Sequence, residues 1–496
     1  MRSEEDSLGN RREWFFIALV CMLAIQIHWS LILVVAWYIV LKRLELNGTL
    51  DKWDADRVLG IILMIRTKRG QTALEIISKP RKFWRVFGEI GLWTCRFTSM
   101  IVLIVFVLGF ISMVLNPSEV ESATPSELII IPGISPTIPL LWGLIGLIVA
   151  LVIHEYGHGI LARAHGMRVQ SFGLLMVGLI PIGAFAEPEG RELIRAPRKE
   201  RQRVFAAGPA VNMYGALICF IALAMVANTM SPTITGVHAE GIIENQPADE
   251  SGLQPWEIIT HINGTEISNH DDFTTALKLY QAGNNITLTV LSMPNENRER
   301  EERNISLTLA DQYQYYIDQG ADPLILEAYG IEENDAFVGV SGLSSNGKGI
   351  QRLAGPLAKD TPKNPLNIAV GFAIQPLQLI SAPLNFKGEI MHPNEIDLLT
   401  SDSFIGTSET FVILHLLFWI TWMNILLGFA NLIPLMPFDG GHMMKDRLHD
   451  YFSFFAKFSN KSHPMKVQNT VNKISGLSSL ILFGMLIIFI IMPLIV

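Results

Sequence analysis

Residues 137–164 read TIPLLWGLIGLIVALVIHEYGHGILARA, an apolar run interrupted near its C-terminal end by His154, Glu155 and His158. A helix needs roughly 20 residues to cross a bilayer, and this run is long enough. Side chains four apart on a helix lie on one face, so the His154 and His158 imidazoles converge on one ion, and Glu155 stands beside them to handle a proton. At ~1.5 Å per residue, His154 lies ~14 Å from Arg163, the first charge on the cytoplasmic side, which puts the pair inside the hydrocarbon layer. The plainer reading is two polar residues facing the interior of a helix bundle. Ionisable groups at membrane depth are costly and usually functional, which favours the metal reading.

The rest of the chain has the composition of a membrane protein. Of its 496 residues, 50% are hydrophobic and only 17% charged, against about a quarter charged in soluble domains. The net charge is −8 and there is no basic block, so nucleic acid is excluded as an expected partner. Cys21, Cys95 and Cys219 all sit inside apolar runs, which argues against a disulfide framework. Six runs are long enough to span: Trp14 to Leu41, Ile90 to Leu115, Thr137 to Ala164, Val204 to Met230, Phe411 to Phe429 and Ile474 to Val496. The first is too long for the apolar part of a cleaved leader and has no small-residue cleavage site after it, so it counts as a span.

Lys and Arg cluster in the loops 42–88, 163–203 and 445–473, whereas 116–136 has neither. The basic loops are therefore expected in the cytoplasm, with both termini and the long loop 231–410 outside. Pro365 to Phe386 is nearly apolar enough for a seventh span, but Pro376, Pro383, Gln375 and Gln378 suit an interfacial or folded segment better. In the outer loop, Gly241 to Glu244 and Glu257 to Ile262 read as strands, Asn263-Gly264 as a hairpin turn, and Asp271 to Tyr280 as a helix behind an Asp cap. Alternation at Ile286, Leu288 and Val290, and again at Ile305, Leu307 and Leu309, predicts two more strands. No clear period follows Asp311.

A catalytic zinc site takes three protein ligands and leaves one position open. The fifth run ends in Asn431-Leu-Ile-Pro434-Leu-Met-Pro437-Phe-Asp439-Gly440-Gly441-His442. Its prolines break the helix and Gly440 permits a tight turn, which lets the Asp439 carboxylate swing toward a neighbouring helix. By the loop charges this end faces the cytoplasm, at a depth similar to that of the two histidines. Asp439 is the first choice for third ligand and His442 the rival.

These residues together resemble the site-2 protease family of intramembrane zinc metalloproteases. His154-Glu155-Tyr156-Gly157-His158 resembles its zinc helix, and Asn431 to Gly440 its second signature, in which the Asp is the third ligand. Gly208-Pro209-Ala-Val-Asn212 is similar to the family's Gly-Pro-x-x-Asn element. Phe438 departs from the commoner Leu. The resemblance implies a polytopic α-helical membrane protein with a membrane-embedded β-hairpin at Phe172 to Glu187. The hairpin's edge, at Gly183, Ala184 and Phe185, would receive substrate as a strand. The outer module, with Pro247-Ala248, Gly252-Leu253 and Glu257 to Gly264, resembles an inserted PDZ domain.

The expected organisation follows. Residues 1–136 hold two spans and a basic loop, and 137–234 the first part of the catalytic core. Residues 235–310 form the PDZ-like domain and 311–408 an extracytoplasmic linker. Residues 409–445 complete the core, and 446–496 form a basic loop and the last span. The expected activity is endopeptidase cleavage in or beside a substrate's transmembrane helix within the bilayer, with Zn²⁺ on His154, His158 and Asp439. Glu155 is expected to shuttle the proton, Asn212 to stabilise the oxyanion and Asn431 to hold substrate. Two other classes stand against this reading. One is an inactive protein tethering partners through the PDZ-like domain, disfavoured because a structural zinc site is normally closed by a fourth ligand. The other is a transporter, disfavoured by the lack of repeated, broken spans.

Overall fold

A computed structural model describes residues 31–495, apart from 68–69, 121, 123, 125–126, 128–130, 179, 296–298, 360, 362–363 and 459–463. The predicted span Trp14 to Leu41 lies largely outside the described residues; its last part belongs to helix α1 (Leu31–Leu46). Then come strands β1 (Ala55–Val58) and β2 (Ile62–Thr67), helices α2 (Gln71–Ser78), α3 (Arg81–Leu115) and α4 (Leu140–Ala164), strands β3 (Val169–Val177) and β4 (Ile180–Pro188), and helix α5 (Arg198–Ala227). The middle of the chain supplies β5 (Val237–His238), β6 (Ile258–Ile262), α6 (His270–Leu277), β7 (Asn285–Leu291), β8 (Glu302–Thr308), β9 (Ser344–Ser345), α7 (Lys348–Ala354) and α8 (Pro365–Asn385). It closes with α9 (Thr407–Leu432), α10 (Asp439–Phe458) and α11 (Pro464–Ile495). The chain divides into two compact units, residues 1–220 with 416–496, and residues 221–415.

In the first unit, α4 is the central helix. Lipid offers no hydrophobic drive for helices to associate, so close backbone approach through small residues does that work. A Cβ at Gly146 would stand 2.5 Å from the Trp419 carbonyl oxygen of α9, and one at Gly157 2.9 Å from that of Ala207 on α5. Leu161, Ala162, Val204 and Ala207 close a core beneath them with Leu74 of α2. The hairpin expected at 172–187 is present as β3 and β4, with Leu175 opposite Gly183, Leu174 opposite Ala184 and Gly173 opposite Phe185. It belongs to a four-stranded antiparallel sheet in the order β1-β2-β3-β4, which leaves β4 on one edge. Strands β1 and β2 come from the loop expected to be merely basic. Leu59 and Gly60, both with positive φ, turn the chain between them, and the β-branched run Ile61-Ile62-Leu63-Met64-Ile65 is the signal that marks the second strand.

The second unit holds a sheet ordered β8-β7-β6-β5-β9, packed through Val237, Ile259, Ile262, Leu288, Val290, Ile305 and Leu307 onto Phe273 and Ala276 of α6. The predicted strands and helix appear within a few residues of their expected positions. Asn263 and Gly264 make the turn with φ of 47° and 79°. The helix cap is Asn269, not an Asp: its side chain accepts from the Asp272 N–H. The 241–244 segment pairs only at Gly241–Ile242, with Val340–Ser341. Beyond Asp311, where no period is legible, Ser344 pairs with His238 and Ser345 with Val237 to complete the sheet.

Pro365–Asn385 forms one continuous helix through both prolines. Its N-terminus is capped by the Asn364 side chain, with Pro365 at the first position, where its missing N–H costs nothing. Gln375, one of the residues that favoured an interfacial or folded segment over a span, is buried and donates to the Arg352 carbonyl at 3.0 Å, so its polarity is satisfied inside the fold. Six described helices are long and apolar enough to cross a membrane: α3, α4, α5, α8, α9 and α11.

Candidate metal centre

His154 and His158 lie one turn apart on α4, as their spacing requires. His158 Nδ1 is 2.7 Å from the Val204 carbonyl oxygen of α5. A carbonyl only accepts, so Nδ1 carries the proton and Nε2 presents a lone pair. That lone pair faces His154 Nε2 at 3.2 Å. Asp439, the first residue of α10, follows the break between Leu432 and the new helix. Its Oδ2 lies 3.2 Å from His154 Nε2 and 3.3 Å from His158 Nε2.

Two imidazole nitrogens and a carboxylate oxygen at such separations are spaced so that one cation can join them. The separations match the roughly 3.3 Å edge of a tetrahedron whose centre-to-ligand bonds are about 2.0–2.1 Å, the zinc value for nitrogen and carboxylate oxygen. These three are the one group of His, Cys, Asp and Glu among the described residues that converges tightly enough to hold a metal ion. The donor set therefore fits Zn²⁺, with an imidazole pair and one charged oxygen.

The remaining predicted residues fall into distinct places. Glu155 is half-buried beside His154 on α4. Gly208 lies against the donors, where a Cβ would stand 2.6 Å from His154 Nε2 and closer still to that of His158. One turn further along α5 is Asn212, fully buried, with neither amide atom hydrogen-bonded. An unpaired buried amide costs about 1–3 kcal/mol, so its presence next to a metal-type cluster calls for a functional reason. Asn431 is partly buried near the end of α9, its Nδ2 donating to the Leu427 carbonyl at 3.0 Å. Gly183, Ala184 and Phe185 lie on the edge strand β4.

His442 is outside the cluster. Its ring stacks on Phe205 with centroids 4.5 Å apart and 14° between planes. Burial lowers its pKa despite the opposing charges of Asp439 and Asp446, which keeps the ring neutral in that stack. Residue types had not disclosed the Val204 carbonyl, because a backbone group has no signature in sequence. The steric role of Gly208 was legible only as part of a motif.

A pair of helix-borne histidines with an adjacent glutamate, closed by an aspartate from a distant helix in an apolar bundle, defines a metallohydrolase of the membrane. The chain belongs to peptidase family M50, whose profile matches residues 142–482, and by that membership it is a metalloprotease with zinc as its cofactor. It is 29% identical over 232 residues to an uncharacterized protein, MJ0971, of Methanocaldococcus jannaschii, covering 47% of this chain and 60% of that one. It is 22% identical over 351 residues to the zinc metalloprotease Rip1 of Mycobacterium tuberculosis, covering 60% and 82% of the two chains. Rip1 of Mycolicibacterium smegmatis is 24% identical over 364 residues, with the same coverage. The alignment with MJ0971 thus spans less than two thirds of that relative's length.

Proposed function

We propose that the protein is a zinc-dependent endopeptidase that cuts membrane proteins in or next to a transmembrane helix, in the manner of regulated intramembrane proteolysis. The observation that carries this reading is the convergence of His154, His158 and Asp439 within helices whose outer surfaces are apolar. His154, His158 and Asp439 are the metal ligands. Zinc held by these three residues would supply Lewis-acid activation of a water and of the scissile carbonyl. Glu155 takes the proton from the attacking water and passes it to the leaving amine. Asn212, whose amide has no hydrogen-bond partner among the described residues, donates its N–H to the oxygen that gains charge. A substrate helix in lipid has every amide already bonded and must unwind before it can be cut. Edge strand β4, set in the membrane with its hairpin, receives the opened segment by strand addition, and Asn431 steadies it.

The 235–310 module is PDZ-like and screens substrates. Contacts of Arg198 and Arg201 at the start of α5 with α10 put these two ends on one side. By the excess of Lys and Arg that side is the cytoplasm. Helix α8, with Pro376, Pro383, Gln375 and Gln378 along it, is read as interfacial.

The test uses purified protein in detergent, single-span substrates, and Glu155→Gln. An amide can neither accept nor return the proton, so the variant is expected to retain zinc while losing nearly all cleavage. Chelation should stop the wild type, and zinc should restore it. Undiminished turnover by zinc-loaded Glu155→Gln sinks the proposed role.

A further inference from the structure

Helices α5 and α10 run antiparallel, and their contacts repeat along both. At one end Asp439 meets the two imidazoles that lie against Gly208. Three residues along α10 and three back along α5, His442 stacks on Phe205. Four residues further on each, Asp446 accepts two bonds from Arg201, Nε to Oδ2 at 2.8 Å and Nη2 to Oδ1. Beyond that, Arg198 reaches Asp450 at 3.3 Å and His449 at 3.2 Å. Along these rungs the residue numbers rise on one helix by the steps in which they fall on the other. The Arg201–Asp446 rung is the buried charged one: Asp446 is 6% exposed.

A buried ion pair adds little net stability over an apolar pair of the same shape, because both charges lose water. What it does impose is geometry. A forked guanidinium on a carboxylate fixes rotation as well as distance. Asp439 follows a broken stretch, 433–438, that does not hold it by helix continuity. Its placement rests on α10, of which it is the first residue, and on the bonds that join Phe438 to Leu435 behind it and to Gly441 and His442 ahead of it.

We infer that Arg201 and Asp446 are positioning residues for the third metal ligand, locking α10 two turns away in the register at which Asp439 Oδ2 meets His154 and His158. This rests on the ligand assignment proposed above. Slippage of α10 along or about its axis, by even a fraction of a turn, carries Asp439 Oδ2 off the imidazoles.

The full chain is compared with Arg201→Met, Asp446→Asn, Arg201→Lys and the swap Arg201→Asp with Asp446→Arg. The readouts are zinc affinity by chelator competition, the visible spectrum of the cobalt-substituted protein, and thermal stability. The first two variants should bind zinc about ten- to a hundredfold more weakly and change the cobalt spectrum. The swap should recover most of the affinity, and Arg201→Lys, which keeps charge without the fork, should fall between. Wild-type affinity and spectrum in Arg201→Met, with only the melting temperature lowered, would show a packing role and overturn the inference. If the first two do not fold, Arg201→Lys decides: unchanged zinc affinity at wild-type stability overturns it. Wild-type protein that binds no zinc refutes the ligand assignment itself, a separate failure.

Discussion

Asp439 joins two distant parts of the chain, and its role separates cleanly from that of its neighbour His442. Without Asp439 the two imidazoles lose the chelate and the charge that offsets Zn²⁺. Asp439→Ala should therefore lower zinc content, and Asp439→Asn, a weak neutral donor, should bind less than the wild type and cleave poorly. His442→Phe removes a possible donor but keeps the stack on Phe205, so zinc should stay at the wild-type level. Metal analysis of the three purified variants distinguishes the readings: full zinc in Asp439→Ala would transfer the ligand role elsewhere. Asn212 gives a prediction of opposite character. Its buried amide is unpaired in the resting protein, so Asn212→Leu relieves a desolvation cost and should be neutral or stabilising by about 1 kcal/mol. The same change should lower kcat by about 10²–10³ with zinc retained. Unimpaired kcat in the zinc-loaded variant would remove Asn212 from the mechanism.

In the proposed function, strand β4 is the element that receives substrate. In an antiparallel partner, alternate N–H groups point to the sheet and away from it. A substrate N-methylated at every second residue flanking the cut should therefore lose two or three backbone bonds of about 1 kcal/mol each, raising KM by roughly ten- to a hundredfold. The same methyl groups shifted by one residue should cost little. Equal KM values for the two series would show that substrate does not pair with an edge. The family resemblance implied the β3–β4 hairpin, yet nothing in the sequence showed that β1 and β2 join it. Pairing of Thr67 with Phe172 and of Met64 with Leu175 links segments a hundred residues apart, and no local period records such a match.

Across the whole molecule, the second unit supplies none of the three metal-type donors. Its sheet takes β9 from beyond the expected boundary at 310, so a deletion ending there would strand Ser344 and Ser345 without partners. The chain's entry and exit are instead tied by Asn346 Nδ2 on the Ile234 carbonyl at 2.8 Å and Asn228 Nδ2 on that of Leu357 at 2.9 Å. Replacing residues 235–346 by a short Gly-Ser linker should preserve zinc content and cleavage of a short single-span substrate, while altering selection among longer ones. A folded, zinc-loaded deletion that cuts nothing would make this unit part of the catalytic apparatus.

Sequence by itself determined what lies within a few turns of one helix. The i, i+4 spacing put His154 and His158 on one face with Glu155 adjacent, and Pro434 with Pro437 announced the break that frees Asp439. Alternation at Ile286–Val290 and Ile305–Leu309 located two strands of the outer sheet. Only the tertiary structure decided which carbonyl orients His158 and that His442 packs on Phe205. It also decided that 365–385 is one helix with Gln375 satisfied by Arg352, and that α10 meets α5 through Arg201 and Asp446. Helical and strand periods are short-range consequences of backbone geometry, written into neighbouring residues. Register between distant helices and the partners of backbone carbonyls arise from close packing of the whole chain, and leave no repeating trace in its order of residues.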